Sequence, residues 1–584
     1  MATSKNLINS LDDAVSETLS GLSYTYPRLE HHASHGVVLS PDCRDRKDKV
    51  ALICGGGSGH EPFAAGFVGS GMLTASVAGS IFAAPPSIHI THALQCIAEN
   101  NKAGILVVVP NYTGDCLNFG IAIKKAHQAG IKVEEIIVGD DCSISANEQS
   151  VAGKRGLVGM LFVIKIAGAF AERGLSLPEV AEIAWSVSQN TATYGVGLSA
   201  CALPGQGLMF ELAQDEIECG MGVHGEAGYE RIKLRTASVL VTLMLKRICE
   251  ALSLAANDSV AVIVNNFGAL SQLEQGIIVH EIVIQLRNMN IEPIRVYSGV
   301  LMTSLNSAGI HVSLLKLTES HRDVFVKCLD EETMAPCWPG CSYSIPSTVT
   351  RIPFKDIAEK KKAEKRGISL NVCEQRLIKL CLGNACAAVI GQEMYLNELD
   401  RGCGDGDCGS TLKRFAEGIL NNLDGLCLSH PAALLSEIAN IAEKHMGGTS
   451  GALYCLFFTT GAKELASSKQ GENLRNVWFC AFRSGLHCLE KYGKAKAGDR
   501  TMIDTMNAVY VIYERMLKGH PNDLYDRLAA AAWKGCDSTK DMKPKAGRAS
   551  YVKQTRYLTE VDAGAYAAAT WIAAIVRTIT QFKE

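Results

Sequence analysis

The stretch from Lys49 to Pro62 reads KVALICGGGSGHEP. Its apolar residues predict a buried strand, and a glycine run follows that strand directly. Open α/β sheets bind their ligands in loops at the carboxyl ends of strands, where this glycine run would lie. The run lacks the Gly-Lys-Ser/Thr of a Walker A loop, so a tight strand–helix turn explains the glycines alone equally well. The histidine that follows them, His60, favours a functional site.

Two further strand patterns continue an α/β alternation. Residues 105–109 precede PNYTGD, residues 133–138 precede GDD, and residues 118–129 between them are helical in pattern. This alternation predicts a mostly parallel sheet with crossover helices. His60 and Asp115 would then lie at adjacent strand ends, where the pair can perform acid–base chemistry, although each alone is more often an ordinary loop residue.

The pattern changes at about residue 190. The stretch GMGVHGEAG, residues 220–228, surrounds His224 with small residues that leave its ring approachable. Strand patterns at residues 260–264 and 311–315 indicate a second α/β subdomain. The sequence therefore predicts an N-terminal α/β domain over residues 1–340, with subdomains of about 1–190 and 191–340.

The second part of the chain has a different character. A lysine-rich, proline-containing stretch is typical of a solvated linker, which we expect over residues 341–371. Helical periodicity, as in residues 431–446, then predicts an all-α domain over residues 372–584. The glycines and hydroxyls of 447–451 begin a further helix, and a helix N-terminus offers backbone N–H groups and a positive dipole end to phosphate.

Three carboxylates, Asp400, Asp405 and Asp407, fall within eight residues and are separated mainly by glycine. Adjacent ionised carboxylates repel one another, and a hard cation such as Mg²⁺ with phosphate oxygens makes their convergence favourable. A solvated acidic turn and a Ca²⁺ loop are the alternatives, although the late Glu of an EF-hand is absent. Arg500 and Arg548 lie in two more polar loops and would complete a nucleotide pocket, whereas each alone is more often a surface ion pair.

Composition restricts the class of protein. The 584 residues are 47% hydrophobic and 20% charged with net charge −3, which is typical of a soluble globular chain with several cores. We expect neither nucleic-acid nor membrane binding, because the chain has no basic field and no apolar run long enough to span a bilayer. The 21 scattered cysteines and the absence of an apolar N-terminal signal indicate reduced thiols in the cytosol.

Seven motifs in order carry a resemblance: GGGSGHEP, NYTGD, GVHGEAG, GDGDCG, MGGTSGALY, KYGKAKAGDRTMID and GRASY. Through them the chain resembles the ATP-dependent dihydroxyacetone kinases along nearly its whole length, and above all their bifunctional animal branch. The resemblance implies a substrate domain of two α/β subdomains and an all-α nucleotide domain built as a helical barrel. It also implies a homodimer.

The resemblance implies roles for individual residues. In that family the histidine that matches His224 holds dihydroxyacetone covalently through its carbonyl, and His60 and Asp115 match the other catalytic residues. The implied substrate-binding positions are Gly57, Ser58, Gly59, His60, Pro110, Asp115 and His224. The implied Mg²⁺ ligands are Asp400, Asp405 and Asp407. The implied nucleotide-binding positions are Asp405, Gly406, Asp407, Cys408, Gly447, Gly448, Thr449, Ser450, Gly451, Arg500, Met502, Gly547, Arg548 and Ala549.

The resemblance also implies activities. These are phosphorylation of dihydroxyacetone and D-glyceraldehyde by ATP with Mg²⁺ and, from the animal branch, cleavage of FAD to AMP and cyclic FMN with Mn²⁺ or Co²⁺. The alternative is a weakly catalytic, carbonyl-binding regulatory protein, because Pro110 stands where the family commonly has lysine. A second departure is KPKA at residues 543–546, which replaces a glycine-rich lead-in to GRASY. A phosphoprotein-coupled kinase fits less well, since those systems usually split the two domains into separate subunits.

Overall fold

The computed structural model describes residues 5–143, 153–340, 365–517, 523–551 and 559–582. The chain divides into two compact units, residues 1–351 and 352–584. The first unit contains strands and helices, whereas the described secondary structure of the second is helical throughout. This confirms the predicted fold class of an α/β part followed by an all-α part. Of the expected linker, residues 341–364 lie outside the described residues.

The first unit begins with a six-stranded sheet. Its strands are β1 (Glu30–His32), β2 (Val37–Leu39), β3 (Ala51–Ser58), β4 (Ala75–Ile81), β5 (Ile105–Pro110) and β6 (Val133–Val138). The spatial order is β1-β2-β4-β3-β5-β6, in which β4, β3, β5 and β6 run parallel and β1 and β2 pair antiparallel at one edge. The parallel strands are apolar along most of their length because helices cover both faces.

Five helices accompany this sheet. They are α1 (Ala14–Thr25), α2 (Ser87–Ala98), α3 (Thr113–Gln128), α4 (Met160–Glu172) and α5 (Leu177–Gln189). The core on one face contains apolar residues of α2 and α3, and the core on the other contains those of α4 and α5. This arrangement leaves the carboxyl ends of β3 and β5 next to each other at one edge, as the strand pattern predicts.

A second six-stranded sheet follows in the same unit. Its strands are β7 (Thr191–Gly197), β8 (Glu216–Cys219), β9 (Glu230–Lys233), β10 (Ser259–Asn266), β11 (Glu292–Gly299) and β12 (Gly309–Leu317), and its helices are α6 (Ala237–Ala251), α7 (Gln272–Asn288) and α8 (Arg322–Asp330). The order is β11-β10-β12-β7-β8-β9, and only β10 and β11 pair in parallel. The second α/β subdomain is thus present, with a mainly antiparallel sheet.

Backbone hydrogen bonds join the two sheets at the loop that follows β3. The N–H of Thr303 donates to the carbonyl of His60 at 3.1 Å, and the N–H of Leu305 donates to the carbonyl of Gly59 at 2.9 Å. Thr303 and Leu305 lie between β11 and β12, so the connection between these two strands holds the glycine-rich loop of the first sheet. The position of His60 is therefore fixed by both sheets.

The second unit contains nine helices in its described residues. They are α9 (Val372–Ile390), α10 (Glu393–Arg401), α11 (Cys408–Asn422), α12 (Pro431–His445), α13 (Gly448–Ala466), α14 (Leu474–Gly493), α15 (Met502–Leu517), α16 (Leu524–Ser538) and α17 (Ala563–Gln581). From α11 onward each helix packs on the next, α17 packs on α9, and α9 packs on α11. The helices therefore close a ring, which agrees with the expected barrel.

The ring has an apolar interior. Helix α17 contributes the fully buried Ala565, Ala568 and Ala569, whose small side chains allow its neighbours to approach closely. Within the described residues no single helix has both the length and the apolar character to cross a membrane. The bent pair α9 and α10, which meet at 53°, satisfies that criterion only when the two are combined.

Candidate active site

His60 and Asp115 lie at neighbouring strand ends of the first sheet. His60 follows β3 by two residues, and Asp115 lies in the first turn of α3, directly after β5. Each side chain is only 4% exposed. The Nδ1 atom of His60 lies 2.9 Å from the carbonyl oxygen of Thr303. Since a carbonyl can only accept a hydrogen bond, Nδ1 carries the proton and Nε2 keeps its lone pair.

The ring of His224 lies in the same place. Its centroid is 4.7 Å from that of His60, 4.5 Å from that of Tyr112 and 5.4 Å from that of Phe82, and each ring meets it edge to face. His224 itself is only partly buried. The structure therefore brings together the three residues that the sequence marks as catalytic candidates, even though His224 lies in the connection between β8 and β9 of the second sheet.

The charged side chains of Glu226 and Arg155 hold the backbone around His224 in place. Its N–H donates to the carboxylate of Glu226 at 2.9 Å, and the same carboxylate accepts from Arg155 at 2.8 Å. The Arg155 guanidinium also donates to Asp141 at 2.7 Å and to the carbonyl of Gly220 at 2.6 Å. Because Arg155 reaches both ends of the glycine-rich turn, it fixes the loop that carries His224.

Both histidines are uncharged at neutral pH. Burial, together with the neighbouring His224, lowers the pKa of His60 to about 3. Burial and then the positive charge of Arg155 lower the pKa of His224 to about 4. A neutral imidazole has a lone pair on one ring nitrogen, so His224 keeps the protonation state that nucleophilic addition requires.

Three buried polar atoms at this site have no hydrogen-bond partner among the described residues: Nε2 of His60, Oδ1 of Asp115 and the hydroxyl oxygen of Tyr112. Such atoms are costly in a folded protein unless something satisfies them. Burial also raises the pKa of Asp115 to about 7. A small polar ligand that reaches these atoms would complete the site.

The other predicted substrate positions form the floor of the site. A side chain at Gly57 would come within 2.8 Å of the backbone nitrogen of Ala83, and one at Gly59, where φ is +98°, would come within 2.8 Å of the Phe82 ring. The Ser58 hydroxyl donates to a β4 carbonyl at 2.7 Å. Close packing therefore requires these glycines, and the serine hydroxyl supports the loop.

Pro110 lies at the end of β5 and is buried. A Cβ atom built on Gly56 would be 3.8 Å from the Pro110 ring and 3.8 Å from Oδ1 of Asp115. Pro110 and Asp115 thus lie beside the same glycine of β3. Its ring has no polar atom to offer a ligand.

The three aspartates of the second unit converge. Asp400, Asp405 and Asp407 each place a carboxylate oxygen within 4.8 Å of the others. Asp400 lies in the last turn of α10, and its carboxylate accepts from the N–H groups of Gly406 at 2.9 Å and Asp407 at 3.2 Å. Asp405 and Asp407 are exposed. Three carboxylates that are partly exposed to solvent fit Mg²⁺, because this ion takes few protein ligands and keeps coordination positions for phosphate and water.

Arg500 lies beside this trio and is buried rather than placed at the surface. It is 2% exposed and donates to the carbonyls of Thr539 at 3.1 Å and Glu560 at 2.7 Å. Its third nitrogen lies 3.8 Å from the Cys403 sulfur, between the aspartates. Arg500 therefore ties three loops together around the carboxylates.

A fourth carboxylate, Asp562, was not recognised from the sequence. Burial raises the pKa of Asp562 to about 6, and the charges of Asp504 and Asp400 also act to raise it. Asp562 caps α17 by accepting from the N–H of Ala565 at 2.8 Å. In the sequence, Asp562 directly precedes an alanine-rich helical stretch. That pattern is typical of a helix N-cap and does not indicate a metal ligand.

Other predicted nucleotide positions surround the aspartates in part. Cys408 is the first residue of α11, and burial followed by the nearby Asp400 raises its pKa to about 12. Met502 is the first residue of α15. A Cβ atom built on Gly564 would lie 3.5 Å from the Cβ of Met502 and 3.2 Å from Oδ1 of Asp562.

The segment with Gly547 and Ala549 follows Lys545, whose N–H donates to the carbonyl of Asp499 at 3.2 Å. This bond places the segment beside the loop of Arg500. The side chain of Arg548 lies outside the described residues.

The glycine-rich segment 447–451 begins α13, with Gly447 as its N-cap. Gly447, Gly448 and Thr449 are exposed, whereas Ser450 is partly buried and Gly451 is buried. The N–H groups of this segment form the open N-terminus of a 19-residue helix, which suits an anionic ligand.

Comparison with known proteins agrees with this organisation. The Dak1 domain matches residues 20–337, and the DAK2 domain matches residues 402–577. The human triokinase/FMN cyclase is 39% identical over 99% of this chain and 100% of its own length.

Solved structures agree as well. The dihydroxyacetone kinase of C. freundii in complex with AMP-PNP and Mg²⁺ is 32% identical and covers 99% of this chain and 100% of its own, with a TM-score of 0.64. A dihydroxyacetone kinase operon co-activator, Dha-DhaQ, is 31% identical and covers 56% of this chain and 98% of its own, with a TM-score of 0.53. These full-length matches, together with both domains in order, show that the chain belongs to the dihydroxyacetone kinase family.

Proposed function

We propose that the protein phosphorylates dihydroxyacetone and D-glyceraldehyde with ATP, yielding dihydroxyacetone phosphate and glyceraldehyde 3-phosphate. The observation that carries this proposal is a neutral, approachable His224 beside two buried atoms, Nε2 of His60 and Oδ1 of Asp115, that have no hydrogen-bond partner in the part of the chain that the structure describes. The named activities of the full-length relatives support it. Release of ADP by purified protein, Mg-ATP and dihydroxyacetone tests it, and an inert mixture would contradict it.

We assign to His224 the role of covalent anchor. The lone pair of a ring nitrogen adds to the substrate's carbonyl carbon, the carbonyl oxygen gains a proton, and the ring loses one from its other nitrogen. The product is a neutral hemiaminal. Such an anchor orients a three-carbon molecule that is too small to be held by contacts alone, and orientation can supply roughly 7–11 kcal/mol in favourable cases. It also selects carbonyl compounds over glycerol.

The remaining groups would handle the reacting hydroxyl. Asp115 accepts its proton as the phosphoryl group arrives, since burial brings the pKa of this acid to about 7. Nε2 of His60 accepts a hydrogen bond from the bound substrate, because its Nδ1 already donates to Thr303. Tyr112 lines the pocket and supplies a hydroxyl to the substrate's oxygens.

The second unit would hold the nucleotide. Asp400, Asp405 and Asp407 would ligate Mg²⁺, which neutralises charge on the phosphates when bound. The residue range 447–451 would offer backbone N–H groups to the phosphates, and Met502 would contact the nucleotide. Gly547, Arg548 and Ala549 would border it, and Arg500 would hold the surrounding loops in place.

The regulatory alternative has support from one comparison, since the first unit alone resembles an operon co-activator. That protein covers 56% of this chain, whereas the chain continues into a second unit whose three aspartates converge. A regulator that only senses a carbonyl compound needs no such cation site. Turnover with Mg-ATP separates the two functions directly.

The kinase kcat/KM is expected to fall about tenfold per pH unit as the pH drops below about 7. In that range Asp115, with a pKa of about 7, takes up a proton and can no longer accept one, while His60 and His224 stay uncharged. Asp115→Asn should lower kcat/KM by about 10²–10⁴-fold and remove this slope. Glu135→Gln, at an exposed position of β6, should keep the wild-type profile; the same slope in Asp115→Asn would contradict the assignment.

Pro110→Lys is expected to lower the KM for dihydroxyacetone about tenfold, the equivalent of ~1.4 kcal/mol. The ammonium would donate a charged hydrogen bond to the substrate near Asp115, where the proline ring offers none. Steady-state kinetics measure the effect. Pro110→Ala is the matched control, because it removes the ring without adding charge, and an equal fall in KM there would refute the electrostatic explanation.

A second activity, cleavage of FAD to AMP and cyclic FMN, is favoured by the relatives named triokinase/FMN cyclase. FAD carries a diphosphate and adenine, so it presents to the acidic trio the groups that ATP presents. With Mn²⁺ or Co²⁺ we expect cyclic FMN to appear by chromatography. His224→Ala should leave this activity within about twofold of wild type, because FAD needs no carbonyl anchor; absence of cyclic FMN in the wild type would rule the activity out.

A further inference from the structure

A cluster of histidines and one cysteine lies on the first sheet, away from the candidate active site. His32 ends β1, the edge strand, and His35 lies in the 3₁₀ turn that follows. Helix α2 contributes His92 and Cys96, which are one turn apart and therefore lie on the same face of the helix. All four side chains are partly buried, and none takes part in the proposed catalysis.

The donor atoms of this cluster converge. Nδ1 of His32 lies 2.9 Å from Nε2 of His92, and that same Nε2 lies 3.6 Å from the sulfur of Cys96. The three atoms all lie within 4.8 Å of one another. A tetrahedral zinc site with Zn–N bonds of about 2.0–2.1 Å and a Zn–S bond of about 2.3 Å requires N···N and N···S separations of about 3.4 and 3.6 Å. The His32–His92 and His92–Cys96 spacings are within about 0.5 Å of these values.

The surroundings fit metal ligation as well. If His32 binds through Nδ1, its other nitrogen lies 4.0 Å from a carboxylate oxygen of Glu30 that also accepts from Arg44 at 2.9 Å. A carboxylate behind a ligating imidazole is a common way to fix the ring's orientation. The ring of His35 stacks on that of His92 with centroids 4.0 Å apart and covers one side of the cluster.

A hydrogen bond between the two imidazoles is the simpler explanation of the 2.9 Å contact. It accounts for one pair of atoms, and a second hydrogen bond, between Cys96 and the same nitrogen of His92, accounts for the sulfur. A metal ion would satisfy all three donor atoms at once. Neutral imidazole and thiolate together form a borderline-soft donor set, which suits Zn²⁺ and not Mg²⁺. The set also differs in kind from the carboxylate oxygens of the second unit.

We propose that His32, His92 and Cys96 bind one zinc ion that fastens the edge strand β1 to helix α2. Three protein ligands leave the fourth position open to solvent. Because the ion joins segments 60 residues apart, binding stabilises the native state and raises the temperature of unfolding. The proposal does not depend on the kinase activity.

Cobalt replaces zinc as a visible probe in the test. Co²⁺ added to the reduced, metal-free full-length protein should produce a thiolate-to-cobalt charge-transfer band that rises with added Co²⁺ to a limit. The band should vanish in Cys96→Ser, and His92→Ala should bind Zn²⁺ at least about 100-fold more weakly in a chelator competition. Zn²⁺ should raise the unfolding temperature of the wild type but not of Cys96→Ser.

Cys403→Ser is the matched control, because Cys403 lies beside the acidic trio, the other place where a divalent cation could meet a sulfur. This variant should keep the full band. Circular dichroism confirms that each variant is folded. Absence of the band in the wild type, or its persistence in Cys96→Ser, would overturn the proposal.

Discussion

His224→Ala is expected to lower kcat/KM for dihydroxyacetone by at least about 1000-fold, which corresponds to ~4 kcal/mol of lost transition-state stabilisation. The loss is expected to be large because the variant would remove the proposed covalent bond to the substrate, and a three-carbon molecule offers few other contacts. The unliganded site should otherwise persist, since Glu226 and Arg155 hold the backbone of residue 224 and not its ring.

The matched control is His280→Ala, at an exposed position of α7, which should keep kcat/KM within about twofold of wild type. Mn²⁺-dependent cleavage of FAD by His224→Ala serves as a second control for folding. Kinase turnover above a tenth of wild type in His224→Ala would contradict covalent anchoring.

Asp405→Asn is expected to reduce both the kinase and the proposed FAD-cleaving activity by about 100-fold or more, because both would use a cation held by the same carboxylates. The substitution preserves the shape of the side chain and removes its charge. Asp405 is exposed, so the fold should tolerate the change. Initial rates at increasing Mg²⁺ measure the effect, and the variant should require a much higher concentration of the cation.

Asp526→Asn provides the comparison, because it removes a carboxylate at an exposed position of α16. It should not change the dependence on Mg²⁺. An equal loss of kinase activity in Asp405→Asn and Asp526→Asn would show a general charge effect and contradict a specific role of Asp405. An unaltered Mg²⁺ dependence in Asp405→Asn would contradict the assignment of the three aspartates as Mg²⁺ ligands.

Regular patterns in the sequence predicted much of the fold. The apolar runs at 105–109 and 133–138 became β5 and β6 with at most one residue of difference. The helix predicted at 118–129 begins earlier, at Thr113, because the polar NYTGD motif itself forms its first turn. Convergence of the three aspartates was also predictable, since Asp400 and Asp407 bracket a short glycine-rich turn and local spacing alone brings them together.

Contacts between distant segments were not predictable in this way. Arg155 and Glu226 are 71 residues apart, and no local pattern indicates that they meet behind His224. The bonds from Thr303 and Leu305 to the β3 loop depend on how two sheets pack, which strand periodicity does not encode. The motifs therefore identified the chemical groups, whereas the residues that hold them in place emerged only from the tertiary structure.

The most direct test of the covalent anchor is nuclear magnetic resonance of the protein labelled with ¹⁵N-histidine and saturated with dihydroxyacetone labelled with ¹³C at its carbonyl carbon. We expect a tetrahedral carbon signal with a one-bond coupling to nitrogen in the wild type and no such coupling in His224→Ala. A bound ketone or hydrate without nitrogen coupling in the wild type would contradict the mechanism.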